Sequence, residues 1–219
     1  MIQKAAEQFE SAPLKTISLD KCIWMFAGDG GNVTIIVDEA NTLLIDSRLD
    51  SRAAELTDAT FKATWQPVTR LVNTHWHFDH TGGNAYFGSG GVTIIAQENV
   101  KNRGAERAFH WPARWALSNP GAINGDLFKQ YDIEPGRSAS DIGQLRSCAY
   151  GWDTIIYIAP ANIAVVGDIF SNHFYPIIDL ASGGSIDGMI QSLDQILAQT
   201  DEQTKIVPGH GPVATRSDL

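Results

Sequence analysis

The sequence predicts an α/β fold in which two sheets pack together with helices outside. Short β-prone apolar runs fall into two blocks, one ending near residue 96 and one beginning near residue 154. Each block is accompanied by segments of helical spacing. A chain of 219 residues with 43% apolar and 19% charged content is that of one large globular domain with a substantial core. Residues 1–219 are therefore expected to form a single domain.

The elements follow in order. Residues 22–26 read as a strand closed by Gly28-Asp29-Gly30-Gly31. The runs 33–37 and 42–45 flank Asp38-Glu39-Ala40-Asn41 and read as a hairpin. Residues 52–62 carry Ala53, Leu56, Ala59 and Phe61 at near-helical spacing. Residues 70–74 form a short strand, 92–96 another, and 97 to about 107 a polar helix. In the second block 154–158 is a strand, Pro160-Ala161-Asn162 a turn, and 163–166 a strand ending at Gly167-Asp168. Residues 185–199 place Ile186, Met189, Ile190, Leu193, Ile196 and Leu197 on one stripe, the clearest helix in the chain, and the stripe is read as core packing. Residues 205–207 are a last strand, ending at Pro208-Gly209-His210-Gly211. Trp65, Trp76 and Trp152 read first as packing residues.

The formal net charge of −9 argues against a nucleic-acid partner, which needs a basic face. Cys22 and Cys148 are the two cysteines, with no CxxC pair, and read as free thiols. The polar N-terminus lacks a signal-peptide core, and no apolar run approaches membrane-spanning length. The expectation is a soluble, cytoplasmic protein (periplasmic had a leader been removed), with no membrane partner and no assignment of oligomeric state.

The chemistry sits at His75-Trp76-His77-Phe78-Asp79-His80, where three of the six histidines and a carboxylate share six positions. A histidine-rich turn that binds nothing is the plain alternative, but four metal-ligand types this close favour a cation. If strand geometry runs on through residue 77, His75 and His77 project to one side. Thr81-Gly82-Gly83-Asn84 then allows a tight turn around Asp79 and His80. Imidazole and carboxylate donors suit Zn²⁺, one or two ions, with Fe or Mn as competitors. Gly167-Asp168 and Pro208-Gly209-His210 repeat the pattern of a ligand at a strand's C-terminal end, which collects functional residues on one rim.

These anchors resemble the metallo-β-lactamase superfamily. The likeness rests on His75-x-His77-x-Asp79-His80, Gly167-Asp168 and Pro208-Gly209-His210-Gly211, and covers residues 15–118 and 150–219. A branch of hydrolases with a Thr-His-Trp-His run (here from Thr74), a Tyr-Pro-x-Ile-Asp segment (here from Tyr175) and a Pro-Gly-His-Gly-Pro ending is closer still. The resemblance implies a four-layer αββα sandwich. It implies a first metal on His75 and His77, a second on Asp79, His80 and His210, and Asp168 as the bridge. Asp79 would also be catalytic, orienting the nucleophile. Trp76, Asn172 and Tyr175 would shape the substrate pocket. The implied activity is metal-dependent hydrolysis of a small-molecule acyl bond: a β-lactam, a lactone or a thioester. A metal-binding protein with impaired catalysis and an iron-dependent oxidoreductase are the alternatives.

One departure stands out. The family places a third histidine for the first metal in an Ala-His-Thr-x-Gly-Asp stretch. Here the text is Ser147-Cys148-Ala149-Tyr150-Gly151-Trp152-Asp153, with Ala149 or Tyr150 at the ligand position and Cys148 as a better donor one place off. Residues 120–146 also depart from the expected strand pair. His110, within an aromatic patch read as sealing a helix or loop, and His173 are substitutes to examine. A first site short of one imidazole is expected to hold its ion more weakly than the second.

Overall fold

The computed structural model describes residues 13–39, 41–97, 100, 115–118, 146–148 and 153–219. A seven-stranded sheet takes the order β1 (Lys15–Asp20), β2 (Ile23–Ala27), β3 (Val33–Val37), β4 (Thr42–Ile45), β5 (Arg70–Val72), β6 (Thr93–Gln97) and β7 (Trp115–Ser118). The first four pair antiparallel and the last four parallel. Helix α1 (Ala53–Thr64) connects β4 to β5, as a parallel crossover requires. The single turn α2 (Phe78–Thr81) and the short α3 (Asn84–Ser89) lie between β5 and β6. The second sheet has β8 (Arg146–Cys148), β9 (Asp153–Ile158), β10 (Ile163–Ser171) and β11 (Lys205–His210) in the order β11-β10-β9-β8, and α4 (Ile186–Gln199) joins β10 to β11.

Alternation within the strands builds three cores and therefore four layers. Ile36, Leu43, Ile45 and Val72 of the first sheet meet Ile156, Ile158, Ile163 and Val165 of the second. Their sequence neighbours point outward: Ile35, Leu44 and Leu71 pack with Leu56 of α1 and Phe87 of α3. Ile155, Ala164 and Val166 pack with Ile196 of α4. Because both faces of β3 and β4 are covered, every residue in them is buried. Each fully buried Ile or Leu contributes roughly 1.5–3 kcal/mol. The architecture is the αββα sandwich.

The structure corrects several expectations. β5 stops at Val72, so the histidine cluster does not continue a strand. β10 runs past Gly167-Asp168 to Ser171, and β11 runs through His210. Register shifts flank Gly167 where β10 pairs with β11, which lets the longer strands bend around the site. On α4 Met189 and Ile196 are buried, but Ile186 and Ile190 are 65% and 52% exposed, so the stripe is only partly core. Trp65 is 79% exposed, because it closes α1 in a left-handed turn at φ 57 and rests edge-on against Phe61. β1 was not anticipated: it is a largely exposed, mostly polar strand in which Leu19 is buried and Ile17 packs partly on the core. Of the helix expected from 97 to about 107, Gln97 is instead the last residue of β6 and Val100 is helical; its other residues, His110, Ala149, Tyr150 and Trp152 lie outside the described residues. Among the described residues no helix is long and apolar enough to cross a membrane.

Candidate metal centre

The centre begins with a residue that sequence reading passed over. Asp46 follows the last residue of β4, buried, in the left-handed region at φ 69. Its backbone N–H donates to the Val72 carbonyl at 2.7 Å, which ties the tips of β4 and β5 together. Its carboxylate accepts from the Thr74 N–H at 2.8 Å and from Thr74 Oγ1 at 2.7 Å. It also meets His80 Nδ1 at 2.8 Å, while Thr74 Oγ1 lies 3.0 Å from His75 Nδ1. Both imidazoles are therefore held at Nδ1 and present Nε2 to the centre, the arrangement by which an outer carboxylate fixes a ligand's tautomer. His77 is turned the other way. Its Nε2 lies 3.7 Å from Asp179 Oδ2, so Nδ1 faces inward. Asp179 is itself held by Ser182 Oγ at 2.5 Å.

α2 places Asp79 and His80 on one turn, and its carbonyl end is caught by Ser47, whose N–H and Oγ donate to the His80 carbonyl at 2.8 and 3.1 Å. Asp168 enters from β10 and His210 from the end of β11. The Asn32 side chain donates to the carbonyls of Pro208 and Gly211, both at 2.9 Å, and so fixes the β11 turn that carries His210. Gly31 and Gly209 leave no room for a side chain. A Cβ on Gly31 would come within 2.3 Å of the His80 ring, and one on Gly209 within 2.0 Å of Asp168 Oδ1.

Two groups of donors result. His75 Nε2 lies 3.0 Å from His77 Nδ1 and 3.4 Å from Asp168 Oδ2, with His77 Nδ1 to Asp168 Oδ2 at 3.8 Å. In the second group His210 Nε2 lies 3.2 Å from Asp79 Oδ2, 3.3 Å from His80 Nε2 and 3.3 Å from Asp168 Oδ1. Donors at 2.0–2.2 Å from a tetrahedral ion are about 3.3–3.6 Å apart, so both groups match the spacing a cation imposes. Asp168 Oδ1 is buried near two imidazole nitrogens yet makes no aligned hydrogen bond, as expected of atoms converging on a shared centre rather than on each other. Proximity alone also groups His80 with His75 and Asp168, within 4.8 Å. The 3.2 Å approach of His80 Nε2 to Asp168 Oδ1, beside His210, puts it with the second group. The nitrogen and carboxylate donors fit a borderline divalent cation in each group.

The electrostatics agree. Burial disfavours a charged His80, but Asp168, Asp79 and Asp46 outweigh it and push its pKa well above the imidazole range. Burial likewise opposes His210, and Asp168 and Asp79 raise it to about 9. Burial would raise Asp79 and Asp168, but the facing imidazoles, His80 first, hold both below the carboxylate range. His75 is lowered by burial and by His80. A group whose folded pKa is raised stabilises the fold below its unfolded value and loses that contribution as pH climbs through the folded one. Metal-free protein is therefore expected to lose thermal stability between pH ~6.5 and about 9 through His210, with His80 acting in the same direction. His75, whose pKa is lowered, acts outside this window: it costs stability only as pH falls below ~6.5. Cation affinity should rise over the same interval because bound protons must leave. Melting curves with and without Zn²⁺ test this, and a metal-free melting temperature that is flat or rising from pH 6.5 to 9 would count against it.

A family model described as "Metallo-beta-lactamase superfamily" matches residues 27–145. The chain belongs to the metallo-β-lactamase superfamily. The chain is 21% identical over 182 residues to the "Metallo-beta-lactamase type 2" of Bacteroides fragilis, covering 82% of this chain and 68% of that one. It is 26% identical over 194 residues to the "Hydroxyacylglutathione hydrolase" of Polaromonas sp., covering 82% of this chain but only 61% of that protein. Among solved structures, a metallo-β-lactamase from Pontibacter korlensis superposes with a TM-score of 0.74 at 15% identity, over 94% of this chain and 95% of that one. One from Erythrobacter litoralis gives 0.73 at 20% identity, over 94% and 92%.

Within this metallo-β-lactamase fold the structure brings together His75, His77, Asp79, His80, Asp168 and His210. Trp76 is half-buried and lines a small cavity with His75, His77 and Asp168. Asn172 and Tyr175 are not in that wall. Asn172 is buried and its side chain donates to the Pro212 carbonyl at 3.1 Å, so it braces the turn after His210. Tyr175 is 96% exposed, and the same segment contributes Ile177 and Asp179 to the cavity instead. His173 is exposed at φ 67 and does not line the cavity formed by His75, His77 and Asp168. Asp46 and Asn32 were missed, and Asp179, which the sequence offers as a satisfied loop carboxylate, also faces His77. An Asp directly after an apolar strand tip was the one available signal for Asp46.

Proposed function

We propose that this metallo-β-lactamase superfamily member is a metal-dependent hydrolase of a small-molecule acyl bond, in the β-lactam, lactone or thioester class. One observation carries the reading: the two oxygens of Asp168 face two separate donor groups, so one carboxylate links two cation positions. His75, His77 and Asp168 would hold the first ion, and Asp79, His80, His210 and Asp168 the second. Divalent cations bound there would lower the pKa of a water and polarise a substrate carbonyl. The chain's own part is positional. Asp46 and Asp179 fix the imidazoles, so the donor geometry is set before substrate arrives and needs no rearrangement during the reaction. Asp79, on the rim of the second group, can also accept a hydrogen bond from the attacking water and aim it. Trp76 and Ile177 give the approach an apolar edge against which the acyl group of a substrate would rest.

The two relatives named above support an acyl target, since one is called a β-lactamase and the other a hydroxyacylglutathione hydrolase. The test is a panel of one chromogenic β-lactam, one γ-lactone and one glutathione thioester, each assayed with chelated protein and after reloading with Zn²⁺, Mn²⁺ or Fe²⁺. Metal-dependent turnover of at least one member is expected. Protein shown to carry two ions per chain that hydrolyses none above the chelated control would overturn the proposal.

A further inference from the structure

The first donor group has two imidazoles and a shared carboxylate, and the imidazole beside it, His80, is already engaged in the second group. A different donor does. Asp153 is the first residue of β9 and is 3% exposed. The adjacent Thr154 N–H donates to the Thr74 carbonyl at 2.8 Å, which fastens the start of β9 beside the residue that precedes His75. Asp153 lines the same small cavity as His75, His77 and Asp168. Its Oδ2 has no hydrogen-bond partner among the described residues. A buried carboxylate oxygen left without a partner is costly, and a buried carboxyl group is paired, binds a cation or stays protonated; here a cation would find two imidazoles and Asp168 lining the same cavity. No Lys or Arg lines that cavity.

We infer that Asp153 supplies the missing donor of the first metal site, taking the place of an imidazole with a carboxylate. The inference rests on the two-ion reading above and goes beyond it in naming the fourth ligand and its consequence. The first site then has two nitrogens, from His75 and His77, and two oxygens, from Asp153 and Asp168. The second keeps two imidazoles and two carboxylates as well, from His80, His210, Asp79 and Asp168. Replacing a neutral imidazole by an anionic oxygen adds negative charge and hardens the first site. Its preference therefore moves from Zn²⁺ toward oxygen-favouring Mn²⁺ and Fe²⁺.

The experiment is metal titration of the chelated full-length chain with Mn²⁺ and with Zn²⁺, reading ions per chain by elemental analysis after dialysis and Mn²⁺ affinity by electron paramagnetic resonance. Wild type should bind two ions. Asp153→Asn keeps the size and the fold-side contacts, and should retain one ion while its affinity for the other falls at least about 10-fold. Asp153→His should restore two ions with the preference shifted back toward Zn²⁺. Two ions bound by Asp153→Asn at unchanged affinity would overturn the inference and leave the two-ion reading standing. Wild type that binds no ion would overturn both. Because a change at a buried strand residue can prevent folding, a crystal structure of Mn²⁺-loaded wild type is the second test. A carboxylate oxygen of Asp153 within about 2.0–2.4 Å of the ion beside His75 and His77 is expected. An Asp153 side chain turned away from that ion would overturn the inference without recourse to any variant.

Discussion

Asp79→Ala is expected to lower turnover of any substrate the protein hydrolyses by on the order of 100-fold or more, with the fold intact. Asp79 sits on the one-turn helix α2 and reaches 3.2 Å from His210 Nε2 and 3.7 Å from His80 Nε2, so it is placed both to bind the second ion and to aim the water. It is not part of any apolar cluster, so truncation removes no packing. The loss should appear in kcat rather than KM, since the residue acts on the nucleophile and not on substrate contacts. The measurement is kcat at matched metal content, with melting temperature as the control for folding. Turnover within a few-fold of wild type, at equal metal loading, would show that the site has been misassigned.

Gly209→Ala should disable the centre by a different route. The added methyl would lie 2.0 Å from Asp168 Oδ1 and 2.8 Å from the Asp168 backbone nitrogen. The carboxylate can rotate, but the strand is held, because β10 and β11 are hydrogen-bonded neighbours along their length. Separating them costs about 1–3 kcal/mol by overpacking. Turning the Asp168 carboxylate aside removes the shared ligand from both donor groups at once. The expected result is a lowered melting temperature together with loss of both ions, read by elemental analysis. A variant that melts as wild type and keeps two ions would mean that the β10–β11 seam is softer than its geometry implies.

The parts of this molecule that were legible in sequence are those with a periodic or compositional signature. β3 and β4 are short apolar runs around the polar turn at 38–41, and they form where expected. α1 declared itself by spacing, and the histidine run by sheer density of donors. What escaped had no such signature. β1 is an edge strand with only two apolar residues, Ile17 and Leu19, and its pairing with β2 is what makes it a strand. α2 is one turn long, too short for any period to show. Asp46 and Asp179 act through contacts made across 34 and 102 positions of sequence, to His80 and His77, and distance in space is not written in local pattern. Ile186 and Ile190 misled for the opposite reason: an apolar stripe reports which residues could be buried, and the sheet beneath α4 covers only part of it.

The six donors come from both sheets. His75, His77, Asp79 and His80 follow the tip of β5, whereas Asp168 and His210 belong to β10 and β11. A cation held by both sets is thus a reversible cross-link between the two halves of the sandwich, and it closes the chain from residue 80 to 168 into a loop. The protein's resistance to unfolding then becomes a function of its environment's free metal: at a hundred-fold excess over the dissociation constant each site contributes about 2.7 kcal/mol, and at scarcity nothing. The same few atoms that would perform the chemistry would also report on metal supply, through how long the folded chain survives.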